Sequence, residues 1–428
     1  MQPGELLERD ARHLWHPYTQ HATEDPPLEV AGARDACIQL ADGRELIDAI
    51  SSWWATLHGH GNPVLVDAME AQARRCDHVL FAGATHGPAV ELAEGLLRVA
   101  PAGLARVFYS DNGSTAVEVA LKMVLQSWVH AGEPERRVFV ALEGAYHGDT
   151  FGAMAVGDPD PFFRAFAPLL FECRRAGRTA AEVSAALDEL GDRAAGLIVE
   201  PLVQGAAGMV MYPPEELAGM RAACDRAGVP LIADEVMTGF GRTGTLFACE
   251  QAGVSPDVLC LGKGLTGGML PLAATLTTER MYAAFLSPER SKAFFHGHTF
   301  TANPIACAVG VASLELCEER DVPATLEGNG RYLERALAET AQREDRVVEL
   351  RRTGGIVALE LRPPEGERAG YLAELGPRLR REAIARGVLL RPLGNVLYAI
   401  PPACTSLGEC DQIAVAMAEL ALLPPSSA

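Results

Sequence analysis

Short runs of β-branched and other apolar residues alternate with amphipathic segments through the middle of the chain. The runs include "RVFYS", "RVFVALE", "GLIVEPL", "PLIADEV", "DVLCLGK" and "LAATLTT". Between them lie segments with apolar residues at helical spacing, such as "GSTAVEVALKMVLQSWVHAG" and "PPEELAGMRAACDRAGV". This alternation predicts an α/β fold, in which βα units build a mainly parallel, buried sheet flanked by helices. Ligands of such sheets bind beyond the carboxyl ends of the strands.

The pattern changes near residue 320, where a long helical segment precedes β-rich runs and a closing helix, "LGECDQIAVAMAELALL". A chain of 428 residues is too long for one small core. We therefore expect a large domain at residues 51–319 and a smaller α+β domain at residues 320–428. The N-terminal segment, residues 1–50, is expected to belong to that smaller domain.

Charge and cysteine content limit the partners of the protein. A formal net charge of −19 would be repelled by nucleic acid and by anionic membranes. The chain shows neither a secretory signal pattern at its N-terminus nor a run of eighteen apolar residues. Its ten cysteines are scattered without a Cys-x-x-Cys pair, which is typical of a reduced, cytoplasmic protein. We expect small molecules, rather than nucleic acid or a membrane, as partners.

Lys263 ends one apolar run and stands between two glycines. A lysine in such a turn is most often a solvated surface residue. A P-loop is excluded, because Gly264 replaces the required Ser or Thr and the upstream glycine is missing. The functional interpretation is a lysine shielded from water, whose neutral amine can form a Schiff base with a carbonyl.

Asp234 ends another apolar run, and a buried carboxylate at a strand end needs a partner. A salt bridge or a helix cap is the ordinary explanation. A protonated pyridine nitrogen is the alternative, because a pyridoxal phosphate site requires both a Schiff-base lysine and an acid at the ring nitrogen. Considered together, Lys263 and Asp234 favour that alternative.

A phosphate seat is predicted where Gly113 and Ser114 open a helix after a strand. Free backbone N–H groups and the helix dipole favour a phosphate there, although Ser and Thr are also ordinary helix caps. Tyr146 follows another predicted strand end, and its ring could stack on a planar cofactor. An isolated tyrosine is more often a packing residue.

With these residues in place, the sequence resembles the class III aminotransferases of the fold-type I pyridoxal phosphate enzymes over essentially its whole length. The most specific element is "LIADEVMTGFGRTG", followed by a strand and "LGKGLTGG". The resemblance implies a pyridoxal-phosphate-dependent transaminase. It also implies a large domain with a mainly parallel sheet flanked by helices, and a smaller α+β domain.

Further segments resemble one branch of this family, namely "LWHPYTQ", "DAISSWWATLHGHGNP", "AYHGDTFGAMAVGD" and "HGHTFTANPIACA". The branch converts 8-amino-7-oxononanoate to 7,8-diaminononanoate in biotin biosynthesis. S-adenosylmethionine is the implied amino donor, and lysine is the alternative donor. Two other readings stay open. One is a class III enzyme for an ω-amino acid or ornithine, which should have Gln in place of Met237, and the other is a non-catalytic dimeric protein of the same fold.

The resemblance also assigns roles within the cofactor site. It implies that Lys263 forms the Schiff base, that Asp234 contacts the pyridine nitrogen, and that Tyr146 and Val236 cover the two ring faces. Gly113 and Ser114 are expected to hold the phosphate. Thr299 is expected to reach the phosphate of the neighbouring subunit, which implies a homodimer with shared active sites.

The implied substrate pocket has a different set of residues. Its expected members are Tyr18, Trp53, Trp54, Tyr146, Arg242, Lys263, His298 and Arg391, with Asp149 nearby. Arg391 is implied to receive the substrate carboxylate, a task that suits a bidentate guanidinium. His298 replaces the proline that is usual in the family's "HGPTF". The closely spaced histidines His58/His60 and His296/His298 lack a metal-binding carboxylate motif, so no metal is expected.

Overall fold

The structure is a computed structural model that describes residues 4–363, 366 and 368–423. The ends of the predicted N-terminal segment and of the smaller domain, residues 1–3 and 424–428, lie outside the described residues.

The described residues form β-strands that assemble into separate sheets. The strands are β1 (Val30–Arg34), β2 (Cys37–Leu40), β3 (Glu45–Asp48), β4 (Leu104–Ser110), β5 (Val138–Leu142), β6 (Cys173–Ala176), β7 (Ala194–Val199), β8 (Val203–Gln204), β9 (Val210–Met211), β10 (Leu231–Asp234), β11 (Val258–Leu261), β12 (Ala273–Thr278), β13 (Val347–Thr353), β14 (Ile356–Leu361), β15 (Val388–Leu389) and β16 (Val396–Ala399).

Helices cover these sheets. They are α1 (Glu5–His13), α2 (Ser51–Trp54, a single left-handed turn), α3 (Pro63–Arg75), α4 (Gly87–Val99), α5 (Gly113–Ala131), α6 (Phe151–Val156), α7 (Ala180–Leu190), α8 (Pro214–Ala227), α9 (Glu279–Ala283), α10 (Pro304–Glu319), α11 (Val322–Arg343), α12 (Leu375–Ala385) and α13 (Leu407–Ala421). Among these described helices, none has the length and apolar character needed to span a bilayer.

The central sheet has seven strands in the order β4-β12-β11-β10-β7-β5-β6. Strands β6, β5, β7, β10 and β11 pair in parallel, and β12 pairs antiparallel with both β11 and β4. Strand β4 therefore runs in the same direction as the parallel strands. The predicted α/β fold with a mainly parallel sheet is confirmed.

Burial on both faces explains why the central strands are almost wholly apolar. Every residue of β5, β7, β10 and β11 is buried. On one side, α5 packs Ala116, Val117 and Val124 against the sheet, and the cluster around α7 and α8 covers the other side. Parallel strands covered by helices on both faces read as continuous hydrophobic runs.

Three strands from the N-terminal part of the chain and one strand from the C-terminal part form a smaller sheet, ordered β1-β2-β3-β15. Val388 and Leu389 pair in parallel with Ile47 and Asp48. A three-stranded antiparallel sheet, β13-β14-β16, lies elsewhere in the C-terminal part of the chain. The grouping of residues 1–50 with the smaller domain and the boundaries at residues 50 and 320 stay predictions.

Candidate active site

A cavity of about 450 Å³ lies at the carboxyl edge of the central sheet. The chain leaves β4, β5, β7, β10 and β11 at this edge, and residues that follow each of these strands line the cavity. The cavity brings together ten residues predicted from the sequence: Tyr18, Trp53, Trp54, Gly113, Ser114, Tyr146, Asp234, Val236, Lys263 and Arg391.

Asp234 is the last residue of β10 and is almost completely buried. Its Oδ2 lies 2.7 Å from Nδ1 of His147, and its Oδ1 accepts a hydrogen bond of 3.1 Å from the N–H of Val236. The His147 side chain is fully buried. The pair holds the Asp234 carboxylate in one orientation at the floor of the cavity.

The neighbouring acid, Glu235, has a different environment. It is fully buried and accepts hydrogen bonds from the hydroxyl of Thr238 and from the N–H groups of Ala248 and Cys249. Burial raises the pKa of Glu235 to about 7. Since it does not line the cavity, Glu235 serves the loop that follows β10, and only the first acid of the pair faces the site.

Lys263 lies one residue after Gly262, beyond the end of β11, with its Nζ 4.6 Å from the centre of the Trp54 ring. Burial lowers the pKa of Lys263 to about 8, against the opposing effects of Asp234 and Glu200. A lysine with such a pKa has a substantial neutral fraction near neutral pH, and the neutral amine is the nucleophile.

Helix α5 begins at Gly113 with Asn112 as its cap. The side chain of Asn112 accepts from the N–H of Thr115, and the first intrahelical bond runs from Ala116 N–H to the Asn112 carbonyl. The N–H groups of Gly113 and Ser114 precede that bond, at the positive end of the helix dipole. A Cβ at Gly113 would lie 2.5 Å from Cγ1 of Val236, so a side chain would fill this corner.

These residues fit pyridoxal phosphate. The start of α5 at Gly113 offers N–H donors for a phosphate, and Asp234 supplies a buried carboxylate that would pair with a protonated ring nitrogen. Lys263 supplies a nucleophilic amine from the neighbouring strand. No group of three or more His, Cys, Asp or Glu residues in the described part of the chain has the arrangement of a metal site.

Two tyrosines and one acid form a hydrogen-bonded cluster on the rim of the cavity. Oδ1 of Asp149 accepts from the hydroxyls of Tyr18 at 2.6 Å and Tyr146 at 3.0 Å. The two hydroxyl oxygens are 3.2 Å apart. Burial and the neighbouring carboxylate raise the pKa of Tyr18, and burial is also the main cause that raises the pKa of Tyr146, so both phenols stay protonated.

The two tryptophans come from α2, where four successive residues have positive φ. The values are 49° at Ser51, 44° at Ser52, 72° at Trp53 and 70° at Trp54. Each non-glycine residue in this region costs about 1–2 kcal/mol. The Arg391 guanidinium lies over the Trp53 ring at 4.6 Å, and Trp54 Nε1 donates to the hydroxyl of Tyr398 at 3.0 Å.

Arg242, predicted as a substrate-binding residue, does not line the cavity. It is 1% exposed, and its guanidinium donates to the carbonyls of Trp54, Thr56 and Pro401. Burial lowers the pKa of Arg242 to about 10. Arg242 therefore supports the wall from behind, and its contact with a substrate remains a prediction.

His298 and Thr299 also lie outside the cavity lining of their own chain. The Nδ1 of His298 is 2.8 Å from Oδ2 of Asp111, a residue that does line the cavity. Thr299 is exposed, and its expected role concerns a neighbouring subunit. That role stays a prediction.

Sequence reasoning missed two buried residues of the site, His147 and Glu200. Glu200 follows β7 and accepts hydrogen bonds from the N–H groups of Tyr146 and Gly205, and burial raises its pKa to about 7. Position gave a signal for Glu200, which comes directly after the apolar run that forms β7, but His147 lies five residues after the end of β5.

Comparison with known proteins places this cavity in a family. A family model described as Aminotransferase class-III matches residues 18–421. Adenosylmethionine-8-amino-7-oxononanoate aminotransferase of Synechococcus elongatus is 49% identical, over 95% of this chain and 98% of that protein. The protein of the same name from Geobacter sulfurreducens is 41% identical, over 95% of each.

Solved structures give the same result. The adenosylmethionine-8-amino-7-oxononanoate aminotransferase of Methanocaldococcus jannaschii superposes with a TM-score of 0.93 at 35% identity, covering 97% of this chain and 98% of that one. An amine transaminase from an uncultivated Pseudomonas species, solved with pyridoxal phosphate bound, has a TM-score of 0.87 at 32% identity. It covers 95% of this chain and 98% of its own.

The lowered pKa of Lys263 generates a prediction for the cofactor-free protein. Because its pKa is about 8, the neutral fraction of the amine rises about tenfold per pH unit below 8 and levels off above it. The rate at which added pyridoxal phosphate becomes attached, followed by stopped-flow absorbance, should follow this curve. Asp234→Asn removes a carboxylate that raises the Lys263 pKa, so the midpoint should move to lower pH.

The matched control is Asp42→Asn, which removes an exposed carboxylate that does not line the cavity and should leave the midpoint unchanged. A wild-type midpoint near 10.5, the ordinary value for lysine, would contradict the account.

Proposed function

Because the chain belongs to the class III aminotransferases, we propose that it transfers an amino group from S-adenosylmethionine to 8-amino-7-oxononanoate, forming 7,8-diaminononanoate for biotin synthesis. The observation that carries the proposal is similarity over nearly the whole length of relatives named for this reaction. Met237 lines the cavity at the position where the resemblance places Gln in enzymes for other amines.

The chain's own residues divide the work between the two ends of the cavity. Bound pyridoxal phosphate supplies an aldehyde that combines with amines and a ring that accepts the electrons released at the substrate Cα. Gly113 and Ser114 would bind its phosphate through their N–H groups, and Asp234 would hold the proton on the ring nitrogen. The Lys263 amine can take the proton from Cα and return it to the cofactor carbon.

The other end of the cavity suits a long, apolar acceptor with a terminal carboxylate. Trp53 and Tyr18 contact each other edge to face at 5.6 Å and provide an apolar wall. Arg391 lies over Trp53, and its guanidinium can bind a carboxylate with two parallel hydrogen bonds. The distance between the Arg391 end and the Lys263 end would select the chain length.

We further propose a homodimer. Two aromatic residues close to Thr299 in the chain are exposed: Phe295 is 73% exposed and Phe300 is 58% exposed. In the N-terminal segment, Trp15 is 91% exposed. Contiguous exposed apolar patches mark surfaces that contact a partner, and Phe295 and Phe300 lie close to Thr299 in the chain. Sedimentation equilibrium should give the mass of two chains, and an active monomer would contradict the proposal.

A cytoplasmic location is also proposed. All ten cysteines are free thiols, including exposed Cys404. Unpaired thiols are typical of proteins that work in a reducing compartment.

The function is tested by following the visible absorbance of the cofactor-loaded protein in a single turnover. S-adenosylmethionine should convert the cofactor to its amino form, and 8-amino-7-oxononanoate should restore the starting spectrum. Lysine, ornithine and 4-aminobutyrate serve as parallel donors, because the structural neighbours include an amine transaminase. Conversion by one of these donors alone would move the assignment to another member of the family.

Arg391 provides a second prediction. Arg391→Ala should raise the KM for 8-amino-7-oxononanoate by about tenfold to a hundredfold, the range expected for a charge-assisted hydrogen bond of about 1.5–3 kcal/mol. The single-turnover rate with the donor should change less than threefold. The control is Arg386→Ala, whose guanidinium pairs with Glu382 and Glu419 away from the cavity. Equal damage to both half-reactions would refute the assignment of Arg391 to the acceptor carboxylate.

A further inference from the structure

The left-handed turn α2 is an unusual way to place two tryptophans in a cavity. Its four residues, Ser51 to Trp54, all have positive φ and none is glycine. Residues with a Cβ visit this region singly, in turns, and seldom in succession. Such strain persists only where the surrounding structure fixes it, and it concentrates at functional sites.

Asp48 holds this turn through hydrogen bonds to Ser52. Its side chain is fully buried at the end of β3. Oδ1 accepts from the N–H of Ser52 at 2.9 Å, and Oδ2 accepts from the hydroxyl of Ser52 at 2.8 Å. The Nε2 of His60 lies 2.9 Å from the same Oδ2. The buried Asp48 carboxylate thus accepts hydrogen bonds from both the N–H and the hydroxyl of Ser52, the residue with the smallest φ in the turn.

Contacts from other segments fix the ends of the turn. The hydroxyl of Ser51 donates to the carbonyl of Ile400 at 2.7 Å. Arg242 donates to the carbonyls of Trp54 at 3.4 Å and Thr56 at 3.2 Å. The turn is therefore held at Ser52 by the Asp48 carboxylate, at Ser51 by a main-chain carbonyl, and at Trp54 by the Arg242 guanidinium.

The turn sends its two indole rings to different ends of the cavity. Trp53 lies beneath the guanidinium of Arg391, and Trp54 lies beneath the amine of Lys263, each at 4.6 Å. Since the two tryptophans are adjacent in the chain, the turn contacts both Arg391 and Lys263 within two successive residues.

We propose that Asp48 is a positioning residue that holds Ser52 in the left-handed region, so that the turn fixes the separation of the Lys263 and Arg391 ends of the cavity. Asp48 does not line the cavity, and its hydrogen bonds to Ser52 connect it to the turn that does. The consequence for acceptor length rests on the proposed function, whereas the consequence for the turn itself does not.

The decisive experiment compares two double variants, Asp48→Ala/Ser52→Gly and Asp48→Ala/Ser52→Ala. Both lack the carboxylate and the hydroxyl, and they differ only in how easily residue 52 adopts a φ near 44°. Asp48→Ala alone should raise the acceptor KM about tenfold or more while changing kcat less than threefold. In Asp48→Ala/Ser52→Gly, at least half of this increase in the logarithm of the acceptor KM should be reversed. In Asp48→Ala/Ser52→Ala, none of it should be reversed.

Two measurements made without substrate separate this proposal from the proposed function. The near-ultraviolet circular dichroism of the tryptophans should be closer to wild type with glycine than with alanine at position 52. In the wild-type background, Ser52→Gly should melt about 1–2 °C above Ser52→Ala, because only alanine retains the strain. If the acceptor assignment is wrong, these two differences remain.

If Asp48→Ala does not fold, the single Ser52 variants and Asp48→Asn provide the test. Asp48→Asn keeps the shape of the side chain. In that case the acceptor KM should be higher for Ser52→Ala than for Ser52→Gly. Asp48→Asn should raise that KM less than tenfold, because its amide oxygen can still accept from the N–H of Ser52. Glycine and alanine variants that are indistinguishable in KM, dichroism and melting temperature would overturn the proposal.

Discussion

The burial of a few ionisable groups at one edge of a parallel sheet is the constraint on which the site depends. Strands that run in one direction deliver their following residues to the same edge, so Asp234, Lys263, Glu200 and His147 meet although they are far apart in the chain. Away from water, charge is costly and each group needs a partner. That cost lowers the Lys263 pKa and orients Asp234 through its contact with His147. The sheet thus provides both the position and the chemical state of the reacting groups.

The cavity above this edge has a second end, set by the smaller sheets. Asp48 is the last residue of β3, which pairs with β15, and Arg391 follows β15 in the chain. The left-handed turn begins three residues after Asp48 and extends between these two ends. The Arg391 end of the cavity therefore adjoins the sheet in which β3 pairs with β15, and the Lys263 end lies at the edge of the central sheet. A substrate that fits must match the distance between them.

The sequence predicts the central sheet and the residues at its strand ends, because each of these residues directly follows or ends the apolar run that forms its strand. An apolar run followed by Asp234 or Lys263 marks a buried strand with a polar end. The sequence does not predict the pairing of Asp234 with His147, 87 residues away, because it depends on which strands become neighbours. It also does not predict that Arg242 lies outside the cavity lining, because a glycine-rich loop has no periodicity that indicates the direction of its side chains. The sequence also does not predict the left-handed turn, because Ser-Ser-Trp-Trp contains no glycine, the residue that most often indicates positive φ.

We propose that Asp234, held by His147, keeps a proton on the ring nitrogen of bound pyridoxal phosphate. The most direct test is the ¹⁵N chemical shift of cofactor labelled at that nitrogen, measured in the loaded protein across the pH range in which it stays folded. We expect the shift of a protonated nitrogen throughout, including pH values at which the free cofactor has lost this proton. A nitrogen that titrates as it does in free cofactor would contradict this proposal.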